Sequence, residues 1–260
     1  MDAAILEHSL KGGDGHQVPI DLPRFQQVVQ YFKSQIANGS LTEHAPLPSE
    51  RRIAEDYDIS RMTARRALDA LEAEGFVYSE DRRGRFVTPK RVSYDVSNMV
   101  SFVAEANSRG LALEIEVVRA MKSQADAILV EKLGLEPGAE VYAYTRLFRN
   151  NGHAIFVETE YVNAQRCPGF LEHDLHQSTT RLLEARYDLS ASTGDIAILM
   201  RAATAEETSL LSLARNSAGI ELTQIIRDAS GRAFCFGRQF WRGEAARFSA
   251  RAIVERSVND

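Results

Sequence analysis

The chain has 260 residues, of which 44% are hydrophobic and 26% charged, and a formal net charge of −5. That composition is ordinary for a soluble globular protein of one large or two modest domains. Two cysteines, Cys167 and Cys235, are too few for a disulfide scaffold, and no run reaches the roughly 18 apolar residues that a membrane span needs.

Residues 1–20 lack the basic start and apolar middle of a secretion signal and run through Gly12-Gly13-Asp14-Gly15, which predicts a flexible tail on a cytoplasmic protein. Residues 21–90 hold 11 basic and 11 acidic residues, so the remainder carries the whole negative charge. Pro23 suits a helix start, and Phe25, Val28, Val29, Phe32 and Ile36 then form one apolar stripe that Gly39 can end. A loop over 41–47 follows. Ser49 is placed to cap a short second helix with Ile53, Ala54 and Tyr57 inward. Ser60 is placed to cap a third helix, with Ala64, Ala67, Leu68 and Leu71 inward and Gly75 as its stop.

On that third helix Arg61 and Arg65 are four apart and share a face, with Arg66 beside them. Ser60, Arg61, Thr63 and Arg65 therefore project from its first turns, where free N–H groups and the helix dipole favour phosphate. A recognition helix entering the major groove has this form, because arginine pairs bidentately with guanine and hydroxyls hold phosphate oxygens. The acids Asp69, Glu72 and Glu74 sit towards the far end, expected to stay away from DNA. Two short strands, 76–78 and 85–87, joined through Asp81-Arg82-Arg83-Gly84, read as a basic wing, and Pro89 stops the second. Residues 21–90 thus predict a winged helix-turn-helix that binds double-stranded DNA.

This block resembles the DNA-binding domain of the GntR family of bacterial regulators. The residues that carry the resemblance are Leu47-Pro48-Ser49-Glu50-Arg51, then Ile59-Ser60-Arg61-Met62-Thr63-Ala64-Arg65-Arg66-Ala67-Leu68, Leu71-Glu72-Ala73-Glu74-Gly75-Phe76-Val77 and Gly84-Arg85-Phe86-Val87. The resemblance implies that Arg51, Arg61, Thr63, Arg65 and Gly84 contact DNA and that a homodimer binds a short palindromic operator. In the wing, Arg82 stands at a usual glycine and Arg85 replaces a common threonine, while Arg83 fits. A stiffer, more basic wing tip follows, with Arg82, Arg83 and Arg85 expected to contact the phosphates or the minor groove.

Residues 91–98 are polar and read as a linker. From 99 to 257 strands dominate: 113–121, then a helix over 125–133, strands 141–149 and 153–162 joined through Asn150-Asn151-Gly152, and a helix over 179–186. A strand over 195–202, a helix over 205–213, a second hairpin over 221–229 and 232–241, and a last strand over 248–254 complete an α+β domain. An antiparallel sheet with helices on one side is expected.

The layout is similar to the effector domain of the HutC-type branch, called UTRA, which shares its fold with chorismate lyase. The supporting residues are Leu133-Gly134-Leu135-Glu136-Pro137-Gly138, Arg146, Glu158-Thr159-Glu160-Tyr161, Pro168-Gly169-Phe170 and Trp241-Arg242-Gly243-Glu244. The resemblance implies a dimerising domain with a pocket for a small anionic metabolite. Residue by residue, it implies that Arg146 holds an anionic group, that Glu158 lines the pocket, and that Ser178 caps the anion. Thr180, a further effector-binding candidate, stands where the family has a tyrosine, Phe148 where many members have a second arginine, and Cys235 where sugar-phosphate sensors carry glutamate; Arg238, on the same strand as Cys235, is also a candidate effector-binding residue. The expected function is a repressor released by its effector, with no enzymatic activity, cofactor or metal. His173 and His176 read as part of a polar loop. Two other readings remain open: a chorismate-lyase-type enzyme, for which no convincing catalytic set stands out, and a DNA-binding module that recruits a protein partner without a metabolite.

Overall fold

The computed structural model describes residues 22–98, 101–108, 110–111 and 113–251, and divides into two compact units, Met1–Lys90 and Arg91–Asp260. The tail expected over 1–20 lies outside the described residues.

In the first unit, α1 (Arg24–Ala37) buries Val28, Val29 and Phe32 of the expected stripe. In α2 (Glu50–Asp56) the Ser49 side chain accepts from Arg52 N, and in α3 (Arg61–Ala73) that of Ser60 accepts from Thr63 N, so both caps stand where the sequence put them. Ile53, Ala64, Ala67 and Leu71 meet the α1 stripe in one core. The hairpin β1 (Val77–Glu80) and β2 (Gly84–Val87) is antiparallel. Its turn holds Arg82 at φ +57°, a left-handed conformation that costs an L-residue about 1 kcal/mol and that glycine adopts freely. The 41–47 loop widens the hairpin: His44 N donates to Val87 O and Leu47 N to Arg85 O.

The second unit is a six-stranded, wholly antiparallel sheet in the order β4-β5-β6-β9-β8-β7. The strands are β4 (Leu113–Gln124), β5 (Glu140–Asn150), β6 (His153–Asn163), β7 (Thr193–Ala202), β8 (Ala218–Arg227) and β9 (Ala233–Arg242). Asn151 and Gly152, at φ +50° and +77°, turn the β5–β6 hairpin, in keeping with its Asn-Gly sequence.

Three expectations are corrected. Residues 91–98 are not a bare linker, because β3 (Val92–Asp95) pairs in parallel with β10 (Ala246–Ser249) and buries Val92 and Tyr94. The last strand is therefore β10, earlier than expected and outside the main sheet; residues 252–254 lie outside the described ones. Helices also cover both faces of the sheet. On one face α4 (Phe102–Ser108) packs on Phe148, Phe156 and Trp241, and α6 (Thr179–Tyr187) on Tyr144, Val162 and Ile226. On the other, α5 (Ala127–Leu133) meets Val141 and Phe236, and the segment through α7 (Ala205–Leu210) brings Leu211 and Leu213 onto Leu147, Val157 and Phe240. The sheet has apolar residues on both faces, so each needs a cover.

Candidate functional site

An open groove of about 570 Å³ runs between the start of α2, α3 and the hairpin, lined in part by Ser49, Arg51, Arg61, Arg82, Arg83 and Gly84. Arg61 is exposed, and no ion pair engages it among the described residues. Arg51 to Glu55 (3.6 Å), Arg65 to Asp69 (3.8 Å) and Arg82 to Asp81 (3.6 Å) are long, exposed pairs. Such pairs contribute well under 1 kcal/mol and yield readily to a phosphate. Arg83 is bonded to Glu80, whose carboxylate is buried, and stands 5.4 Å from the Phe86 ring. Ser60 and Thr63 share a hydroxyl hydrogen bond of 2.9 Å at the start of α3.

Two arginines of the expected contact set are engaged by side chains of their own unit. Arg66 lies over the Phe25 ring at 4.0 Å. Arg85 is drawn onto α3 by Asp69 and by Glu72 at 3.3 Å, leaving its side chain 16% exposed. The acids at the far end of α3 thus do more than avoid DNA: they fasten the wing to the helix. Spacing along α3 did not reveal this, because Arg85 arrives from another element.

On the α4/α6 face of the second unit, cross-strand register brings Arg146 of β5 opposite Glu158 of β6, with Tyr144 opposite Glu160. Arg146 Nη2 donates to Glu158 Oε2 (2.5 Å), Glu160 Oε2 (2.7 Å) and Thr179 Oγ1 (3.1 Å). Its Nη1 donates to Leu175 O (3.0 Å) and Gln177 O (2.8 Å). Tyr144 and Thr179 hydroxyls also donate to Glu160. Gln239 Nε2 donates to Glu158 Oε1 (2.7 Å) and accepts from Trp241 Nε1 (2.9 Å), so the single tryptophan is tied to Glu158 through one amide.

A cavity of about 20 Å³ remains above this cluster, lined by Tyr94, Phe102, Arg146, Phe148, Glu158 and Thr180 among others. Of the expected pocket residues, Arg146, Glu158 and Thr180 line it. Ser178 caps α6 beside it, its hydroxyl bonded to Thr180 at 3.0 Å. Arg146, expected to hold an anionic group, is held in this structure by two carboxylates and two carbonyls. Glu160 was not singled out, although its period-two spacing from Glu158 on a strand places both on one face. Arg238 is on the opposite face, donating to Glu221 (3.2 Å) in a separate cavity of about 220 Å³ that also holds Arg201 and Thr159. The loop histidines are occupied, His173 with Tyr187 (3.0 Å) and His176 with Asp174 (2.8 Å).

Burial would lower the Arg146 pKa, but Glu158 and Glu160 outweigh it and hold the guanidinium protonated. Burial first, and then Glu160, push the Glu158 carboxyl up to about 7 against the opposing pull of Arg146. The folded state thus holds this proton more tightly than the unfolded chain. That contribution to stability is complete below the ordinary carboxyl range and is lost as pH rises through about 7. Wild type is expected to lose about 1 kcal/mol between pH 6 and pH 8 that Glu158→Gln keeps, read from urea midpoints at both pH values. Equal losses in the two proteins would place the titrating proton elsewhere.

Comparison with known proteins agrees with both halves. Residues 24–87 match the gntR family of bacterial regulatory proteins, and residues 108–247 match the UTRA domain. The HTH-type transcriptional repressor NagR of Bacillus subtilis is 26% identical over 87% of this chain and 93% of its own. The HTH-type transcriptional repressor PhnF of Mycolicibacterium smegmatis is 29% identical over 79% of this chain and 83% of its own. The crystal structure of PhnF from Mycobacterium smegmatis covers 90% of this chain and all of that one, at a TM-score of 0.62 and 24% identity, a likeness of fold. Among the described residues no helix is long and apolar enough to cross a membrane. A recognition-type helix with a basic wing, followed by a sheet domain with a polar cluster under α4, meets both family matches: the chain belongs to the GntR family of DNA-binding transcriptional regulators, in its HutC-like branch with a UTRA domain.

Proposed function

We propose that the chain is a homodimeric, cytoplasmic repressor that leaves a palindromic operator when a small metabolite enters the cavity beneath α4. The observation that carries this reading is where the cavity lies. Tyr94 of β3 and Phe102 of α4 line it, and these are the first elements after Lys90, where the winged unit ends. At about 20 Å³ the cavity admits little more than a water, so a metabolite must displace part of its lining, of which Phe102 of α4 is one member. That displacement pulls on β3 and through it on the chain leading to the winged unit. The effector then works by population shift, favouring a dimer whose recognition helices no longer match successive major grooves.

The test is binding of the full chain to DNA from its own upstream region at fixed salt, with a metabolite panel added. Specific binding released by one compound supports the reading. Specific binding that no compound and no extract alters would favour the module that recruits a protein partner. At the DNA, Arg65→Ala is expected to weaken operator binding by about 1–3 kcal/mol, roughly 5- to 150-fold, with a smaller loss on random DNA. Equal losses on both would leave Arg65 a phosphate contact.

A further inference from the structure

We propose that the ligand accepted beneath α4 carries a positively charged nitrogen, an organic ammonium or imidazolium, seated against the Glu158 and Glu160 carboxylates. This rests on the ligand-responsive reading above and names the ligand's chemical class. The charged groups that line the cavity are one guanidinium, Arg146, and two carboxylates, Glu158 and Glu160, all three buried. The Nη donors of Arg146 already serve those carboxylates, Thr179 and two backbone carbonyls. An anion here must displace a carboxylate from the guanidinium and adds negative charge to a buried site where two carboxyl groups, one of them pushed up to about 7, share a single guanidinium. A cation instead supplies the counter-charge that the cluster lacks. Burial first, and then the second carboxylate sharing the same guanidinium, push the Glu158 carboxyl up.

Two rings on the wall suit a cation as well: Tyr94 and Phe102 line the cavity, and aromatic rings beside a carboxylate attract ammonium groups, whereas both faces of Phe156 are stacked on Phe148 and Trp241. Arg146 Nε, buried and without an acceptor among the described residues, offers one hydrogen bond to an oxygen on the same ligand. A small amine that also carries a hydroxyl or carbonyl oxygen answers every group in the cluster.

Trp241 makes the test direct, since it is the only tryptophan and is linked to Glu158 through Gln239. The full chain is titrated with choline, ethanolamine and histamine, with 3,3-dimethylbutan-1-ol as the neutral isostere of choline, and with ethyl phosphate and inorganic phosphate as anions. Tryptophan emission and melting temperature are read together. At least one amine is expected to shift both, and to bind about tenfold or more tightly than the neutral isostere or either anion. Glu158→Gln is expected to weaken that amine by about tenfold while leaving the melt cooperative. Shifts by phosphate or ethyl phosphate alone overturn the proposal, as does silence of all three amines at 20 mM. Operator release by an anion in that case keeps the repressor reading and removes only the cation. Amine binding that leaves operator affinity unchanged keeps the cation and removes the release mechanism.

Discussion

Arg146→Ala is expected to destabilise the second unit by about 3–5 kcal/mol, as removal of one partner from a buried ion cluster does. Arg146 is 2% exposed and Glu158 and Glu160 are 6% and 7%, so all three charged side chains are buried together. Its loss leaves two carboxylates facing each other and strands the Leu175 and Gln177 carbonyls, which Arg146 ties to the sheet just before α6. Arg146→Lys keeps the charge, but three donors on one nitrogen cannot reach five acceptors, so an intermediate loss is expected. Unfolding followed by Trp241 emission assigns the transition to the second unit, which alone holds a tryptophan. Adding Glu158→Gln to Arg146→Ala is expected to recover part of the loss, because one uncompensated charge is removed. If Arg146→Ala costs less than about 1 kcal/mol, the carboxylates take up protons easily and the charge count beneath α4 loses its force.

Trp241→Ala is expected to cost about 3–5 kcal/mol, the range for emptying a large aromatic site in a packed core. The indole is fully buried, stacked on Phe156 at 3.9 Å and set edge-on to Phe102 at 5.0 Å and to Phe248 at 5.4 Å. It thereby joins the sheet to α4 and β10, and through Tyr94 at 6.2 Å to β3. Effector response is expected to fail at ligand concentrations that release wild type, even where residual fold and operator binding survive. Trp241→Phe keeps most of the packing and gives up the N–H bond to Gln239, so a smaller loss, about 1–2 kcal/mol, is expected. Calorimetric melts of the three proteins decide this. A Trp241→Ala melt within a degree of wild type would falsify the view that this ring couples the cavity lid to the sheet.

Local rules made much of the chain readable in advance. The stripe Val28, Val29, Phe32 has helical period, Ser49 and Ser60 stand where orphan N–H groups need acceptors, and Asn151-Gly152 supplies the left-handed turn of a hairpin. Each depends on residues within about one turn of one another, so the sequence by itself determined the three-helix unit with its wing and most strands of the sheet. What lay beyond that reach was decided by tertiary structure. β3 looked like a linker because its four residues find a partner only in β10, some 150 positions later. Arg66 and Arg85 looked like free cations until Phe25 and Asp69 reached them from other elements. The partners of Arg146 could not be read from its own segment, because strand register sets it against Glu158 and Glu160. Charge pairing depends on distance in space, and in a sheet that distance is set by register between strands, which no single segment encodes.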